Sequence, residues 1–332
     1  FVNARLYTWT LGLERSFGNL SGNVGYVGTA AQNLPSTTFP NAYPGATPAF
    51  AKYTRFDNAG NVIGGFGFEN VMSSVAHSSY NAFQASISGT LGQSGTGLRA
   101  SYTWSKSIDD SSRSSSSPQN PFNSLPERGP SSFDTTHSFG VSVAQDMHLE
   151  RVNMLRPLGR GFTNGWELLS ISGISSGSPF TVLSGIQQTG VGSKGADRPD
   201  QIAVPSLSTA RKVRQDYFGS GVDNATKYFS IPIHVAGGTG PNQGRFGTLG
   251  RNTFRGPAYY NFDFALIKDT PFGRRKSGAE RMDLQLRGEF FNLFNIVNMG
   301  LPANTLSGTG FGEISKTAGT SRQIQLSLKL VY

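Results

Sequence analysis

Apolar and polar side chains alternate one by one through stretch after stretch of this chain, and a two-faced β-strand is what sorts such a pattern onto separate surfaces. The end of the chain is the clearest case. Ile324, Leu326, Leu328, Leu330 and Tyr332 alternate with Gln323, Gln325, Ser327, Lys329 and Val331. Between Arg281 and Phe291, Met282, Leu284, Leu286 and Phe290 take one face, and Asp283, Gln285, Arg287 and Glu289 take the other. Tyr7 to Glu14, Leu98 to Ser105 and Tyr260 to Ile267 repeat the pattern, and Leu20 to Ala30, Asn81 to Leu91, Thr136 to Asp146 and Trp166 to Ser175 repeat it more weakly. Nine strands are predicted, most about ten residues long, which is the length a tilted strand needs to cross a bilayer. Strands of soluble proteins usually stop at about five or six. Gly and Ser interrupt every window in which a helix might be sought.

The links carry a second rhythm. Gly18 to Asn19 and Gly92 to Gly97 are short, whereas Ala31 to Tyr80, Lys106 to Thr135, Ser176 to Tyr259 and Asn295 to Ser321 are long. Short turns on one side and long loops on the other are the habit of outer-membrane barrels, with the long loops outside and the short turns in the periplasm. That rhythm sends the last strand inward and leaves the C-terminus in the periplasm. His148 to Gly165 and Lys268 to Glu280 are longer than periplasmic turns should be. The tract Ser111 to Pro118, SSRSSSSP, reads as a low-complexity loop.

Composition favours a membrane sheet over a soluble sandwich. Only 15% of the residues are charged and 36% are hydrophobic, with 42 Gly. A sandwich meets water with a charged face. Here the second face is uncharged and polar, as in the lumen of a barrel whose other face meets lipid. Disorder would need a higher net charge relative to hydrophobicity. Tyr7, Trp9, Tyr102, Trp104, Tyr260 and Tyr332 fall near strand ends, where amphipathic rings settle at the headgroups. No run approaches the ~20 apolar residues of a membrane helix. There is no Cys, which excludes disulfides and thiolate metal sites. The net charge of +9 is scattered, and its longest cluster, Arg274, Arg275 and Lys276, falls in a predicted turn. With neither a basic stripe nor a recognisable module, nucleic acid is not expected as a partner. The sequence starts at Phe1, inside a segment that already reads as structured, so it is expected to be a piece of a longer protein.

Motifs for chemistry are few. Gly173-Ile174-Ser175-Ser176-Gly177 matches G-x-S-x-G, but that nucleophile needs a sharp strand-to-helix turn, and Ser178-Pro179 follows instead. His77, His137, His148 and His234 lack the spacing of a zinc site. Asp109, Asp110, Glu127 and Asp134 supply the oxygen that hard cations prefer, though without any loop motif. No catalytic, cofactor or metal site is therefore expected. Asp283, Gln285, Arg287 and Glu289 should point into the lumen, since an Arg facing lipid near the midplane costs about 2–4 kcal/mol.

Several blocks, in order along nearly the whole chain, carry a resemblance: GYVGT (Gly25 to Thr29), SYTWSKSIDD (Ser101 to Asp110), GADRPD (Gly195 to Asp200), LGRNTFRGPAYYNFDFALIK (Leu249 to Lys268), LRGEFFNLFN (Leu286 to Asn295) and RQIQLSLKLVY (Arg322 to Tyr332). Together they resemble the C-terminal barrel of TonB-dependent transporters, closest to the Oar-like branch that carries a carboxypeptidase-regulatory-like domain before the plug. The resemblance implies a barrel of about 22 strands, of which this chain holds the last nine or ten. The first strands, the plug and the TonB-contacting segment would lie upstream. It also implies partners: lipid and lipopolysaccharide of the bacterial outer membrane, the TonB system and the barrel-assembly machinery. The terminal strand resembles the signal read by that machinery through Gln325, Leu326, Leu328, Leu330 and Tyr332. Ser327 stands where Gly is usual and Leu330 where an aromatic is usual.

The expected architecture is an all-β, antiparallel transmembrane barrel segment spanning residues 1–332, with long extracellular loops and short periplasmic turns. The expected function is energised uptake of a scarce solute such as an oligosaccharide or a siderophore. Loop aromatics, Phe66, Phe68 and Tyr228 among them, are candidates to stack on it. A surface-structural or adhesive barrel, a passive porin and a soluble sandwich are the rival readings.

Overall fold

The computed structural model of the protein describes residues 2–40, 54–65, 69–92, 95–113, 118–186, 188–189, 197–205, 217–219, 225–232, 245–274 and 280–331. Nine long strands form one antiparallel meander: β1 (Arg5–Phe17), β2 (Leu20–Thr38), β3 (Val71–Leu91), β4 (Thr96–Asp109), β5 (His137–Met147), β6 (Trp166–Ser175), β7 (Tyr259–Arg274), β8 (Glu280–Phe291) and β9 (Gln323–Val331). Each lies beside its sequence neighbour, and the short segment Gly129–Pro130 joins the sheet at the end of β4.

All nine strands are those read from the alternation, but several run further. β2 and β3 keep pairing beyond Ala30 and Asn81, from Leu34 opposite Ala76 to Thr38 opposite Val71. The sequence hides this because the ladder slips between Ala31 and Leu34, where Asn33 adopts φ 57°. One extra residue inverts the alternation. The Lys268–Glu280 link is corrected in the same way: β7 continues to Arg274 with Pro271 opposite Asp283, so only residues 275–279 separate it from β8. Arg275 and Lys276 lie outside the described residues. The other long inner link, between β5 and β6, holds helical turns that the reading missed: Leu149–Arg151, Asn153–Leu158 and Arg160–Thr163. They are tied down by Trp166, whose indole donates to the Phe162 carbonyl at 2.6 Å.

The registers sort side chains consistently across the sheet. One cross-strand row runs Leu13, Val24, Ala85, Tyr102, Phe139, Ile174, Tyr260. The row beside it, on the opposite face, runs Gly25, Gln84, Thr103, Ser138, Ser175, Tyr259. Further along, Leu168, Leu266, Gly288 and Leu326 share the apolar face. Leu11, Leu13, Leu326 and Leu328 are each about two-thirds or more exposed, and so large an apolar surface marks a face that meets something other than water. Trp9 lies over its cross-strand partner Gly28, and a Cβ there would collide with the indole.

β1 and β9 are the two edges of the sheet, and every residue described in them is exposed. Unpaired backbone groups in hydrocarbon cost several kcal/mol each, so a membrane sheet has to close. This sheet is accordingly an open arc of a barrel. The antiparallel meander puts the four long links, residues 39–70, 110–136, 176–258 and 292–322, at one end.

Candidate functional site

At that end the long links build a second body on the sheet. Its centre is aromatic. Phe218 is 1% exposed and stacks on Phe311 with ring centroids 4.8 Å apart. Phe180, Tyr217, Phe229 and Phe254 pack edge-on around it at 5.5–6.1 Å. Val182, Leu249 and Ile314 complete the cluster. Such ring pairs contribute about 0.5–1.5 kcal/mol each beyond burial. Tyr228 belongs to this core, 6% exposed, so its expected role in stacking on a solute is overturned. Phe66 and Phe68 lie outside the described residues.

Three ion pairs, each with a buried carboxylate, clamp the end of β4 and the β4–β5 loop to the β6–β7 loop. Arg198 donates to Glu127 at 2.8 Å, and both side chains are under 5% exposed. Arg251 pairs with Asp109, and Arg255 with Asp134. Gln119 joins the first pair: its N–H donates to Glu127 at 2.9 Å, its amide nitrogen to the Gly247 carbonyl at 2.9 Å, and its carbonyl accepts the Arg198 N–H at 2.7 Å. Gly177 lets the two ends of the β6–β7 loop meet, since a Cβ there would strike the Gly256 carbonyl. The four carboxylates weighed as a cation site are corrected here. Asp109, Glu127 and Asp134 each face an Arg, and Asp110 pairs with His77 at 3.2 Å. No group of metal-binding side chains occurs among the described residues.

The electrostatics of the loops follow from contacts. The hydrogen bond from the Arg245 guanidinium holds the Asp200 carboxyl below the usual carboxylate range, helped by Thr248. Burial pushes the Asp197 carboxyl up despite its bonds from Thr189. Burial also raises the Tyr217 phenol to about 12, and its hydroxyl donates to the Arg255 carbonyl.

The predicted lumen residues share the polar face, as the alternation requires. Gln285 donates to Asp269 at 2.9 Å on β7, and Arg287 lies 2.9 Å from Glu289 on its own strand. One buried oxygen of Asp283 has no hydrogen-bond partner among the described residues. On β9, Leu326, Leu328 and Leu330 fall on the apolar face opposite Gly288, Leu286 and Leu284, and Gln325 faces Glu289 on the polar side. Tyr332 lies outside the described residues. Ser175 of the G-x-S-x-G match sits at the end of β6, paired with Ser138 and Tyr259, with the pair Pro179–Phe180 rather than a helix after it. His137 contacts the Tyr102 hydroxyl at 2.8 Å, His148 lies 3.2 Å from Glu150, and His234 is outside the described residues.

Sequence reasoning missed Gln119, Arg198, Arg251 and Arg255. The signal was present in the blocks SIDD, GADRPD and LGRNTFRG, each of which carries an Arg or an Asp in a long link or at its edge. What was absent was any sign of which Asp meets which Arg.

The family model described as the outer membrane beta barrel domain matches residues 1–325. The chain belongs to that family. An outer membrane beta barrel domain sits in the bacterial outer membrane, in keeping with the large exposed apolar rows above. No curated protein matches. Among solved structures, the outer membrane transporter YddB from Escherichia coli is similar, with TM-score 0.49 and 10% identity, over 98% of this chain and 32% of that one. The chain thus spans about a third of that transporter's length.

Proposed function

We propose that this barrel segment is the C-terminal part of a TonB-dependent receptor of the Oar-like branch, taking part in energised uptake of a scarce solute. The observation that carries the reading is the convergence of its resemblance blocks. SYTWSKSIDD and LGRNTFRG, about 140 residues apart, meet through Asp109 and Arg251, so the two blocks act as one clamp over the mouth. The two open edges belong to strands of the same longer chain. The plug and the TonB-contacting segment lie in that chain too. β9, with Gln325 inward and Leu326, Leu328 and Leu330 outward, is the strand offered to the barrel-assembly machinery. Lipid and lipopolysaccharide cover the apolar rows.

Uptake by cells carrying the full-length protein tests this. Accumulation should stop when TonB is deleted or the proton gradient is collapsed. The purified protein in a planar bilayer should show no open conductance. Accumulation that ignores TonB, or a steady open conductance, would favour a porin. Normal surface display with no accumulation of any solute would favour an adhesive or structural barrel.

A further inference from the structure

We infer that the chamber between the outer half of the polar wall and the 131–136 loop is the solute site, and that its ligand is neutral and hydroxyl-rich, of the oligosaccharide class. This rests on the transport reading above and names its substrate.

The chamber has a volume of about 500 Å³ and is lined by Tyr80, Gln84, Thr103, Phe133, Ser138 and Ser175. Small-molecule sites commonly fall in the range of about 300–1,000 Å³. Gln84, Thr103, Ser138 and Ser175 are not scattered. They are successive members of one cross-strand row over β3, β4, β5 and β6. Adjacent strands lie about 4.8 Å apart, so the wall presents one uncharged hydrogen-bonding group per strand at a regular pitch. A chain of polyhydroxylated rings offers its hydroxyls in the same repeating way.

None of the four, nor Tyr80, makes a side-chain hydrogen bond to another described residue. Their neighbours toward the loop are already engaged. Ser105 donates to the Thr135 carbonyl at 2.8 Å, and Ser107 bonds Ser131 at 2.8 Å. The one carboxylate at the chamber, Asp134, is fully buried and paired with Arg255. The chamber therefore offers hydrogen bonds without net charge. A charged chelate held there would lose water with no opposite charge to replace it, at a cost of several kcal/mol. On the chamber's own strands the ionic residues Arg99, Asp146 and Glu167 share the polar face but lie further toward the inner end, and none of them lines the chamber.

Rings supply the other half of sugar recognition. Phe133 is 66% exposed at the chamber, although it is a large apolar side chain. Tyr80 faces the chamber from β3. The C–H faces of a sugar ring stack on such aromatics while its rim of hydroxyls reaches the Ser, Thr and Gln row.

The test uses the full-length protein in detergent micelles, without TonB, on an array of neutral and acidic glycans, with an iron-loaded tris-catecholate siderophore, whose ferric complex is anionic, measured in parallel. Neutral glycans should be retained, and the acidic glycans and the siderophore should not. Replacing Gln84→Ala, Thr103→Val and Ser138→Ala together should weaken retention about tenfold or more, since three neutral hydrogen bonds are lost. Phe133→Ala should weaken it separately. Ser172→Ala, on the outward face of β6, should change nothing. Gel mobility before and after heating shows that each variant is a folded barrel. No retention of any neutral glycan, preferred retention of charged ligands, or retention that the triple variant leaves unchanged would overturn the inference. The last result would mean that the row seats another part of the same protein. Because the assay contains no TonB, glycan binding with TonB-independent uptake would spare this inference and sink the energised reading.

Discussion

Arg198→Met should loosen the outer loops while leaving the barrel intact. Arg198 is 2% exposed and gives its guanidinium to Glu127 at 2.8 Å and to the Pro126 carbonyl at 3.2 Å. Without it, Glu127 stays buried with the Gln119 N–H as the remaining donor to its carboxylate among the described residues. Removing one member of a buried pair costs about 3–5 kcal/mol, because the other charge is left uncompensated. At about 1.4 kcal/mol per tenfold, the open population of the loops rises by two to three and a half orders of magnitude. Hydrogen exchange on the full-length protein in micelles reads this directly. The Arg198 region and the Leu249 amide, which donates to Pro199 at 3.1 Å, should exchange at least 100-fold faster, the lower end of that range. Tyr102, in the middle of β4, should not change. The double variant Glu127→Leu/Arg198→Met removes both charges and should recover to within about 1–2 kcal/mol of the parent, the residue being the orphaned Gln119 N–H. A rise below tenfold in the single variant, or a double variant as open as the single one, would refute the reasoning.

Other perturbations probe other layers. Phe218→Ala empties the centre of the aromatic cluster and should cost about 3–5 kcal/mol of loop stability, seen as faster proteolysis of the outer loops with unchanged barrel mobility on gels; unchanged proteolysis would count against a real core. Leu326→Arg, at the middle of the apolar face of β9, should lower the folding free energy in lipid vesicles by about 2–4 kcal/mol, whereas Gln325→Arg on the lumen face should cost under 1 kcal/mol; equal costs would show that the faces are misassigned. Asp200 has its folded pKa lowered by Arg245, so its stabilisation is present above the ordinary carboxylate range and is lost only as pH falls through the lower folded value. Protection of the Thr248 amide, which donates to Asp200 at 2.9 Å, should therefore survive mild acid and be independent of pH in Asp200→Asn; loss above the ordinary carboxylate range would contradict the assignment.

The strands were legible because their side chains have to obey two solvents at once. Lipid on one face and a watery lumen on the other force the alternation of Leu326, Leu328 and Leu330 with Gln325, Ser327 and Lys329, whatever the tertiary contacts. Legibility failed where a local irregularity broke the period. Asn33 and Pro35 ended the visible pattern of β2, although the ladder resumes at Leu34 and Pro35. The loops were illegible for another reason. Their order comes from pairings such as Arg251 with Asp109 and Phe218 with Phe311, which join residues far apart in sequence and follow no period. A loop rich in Gly, Ser and Asn looks the same whether it is loose or clamped. Tyr228 was misread on that account, since its sequence neighbourhood is polar while its surroundings are aromatic.

The same contrast separates scaffold from specificity. The resemblance blocks supply parts that hold the shape. SIDD, GADRPD and LGRNTFRG contribute the ion pairs, and FFNLFN contributes Asn292 and Asn295, whose φ of 51° ends β8. Asn292 then fixes the start of the following loop by donating to the carbonyls of Ile296 and Thr320. Residues engaged in that way have no bonds left for a solute. Gln84, Thr103, Ser138 and Ser175 make no side-chain hydrogen bond to another described residue, and of these only Thr103 falls inside a resemblance block. A barrel that shares the blocks but carries charged side chains at those four positions should keep the clamp and change its ligand. Transplanting only those four side chains onto such a barrel should transfer glycan retention with them. Failure of the transplant on a folded barrel would place specificity in the loops instead.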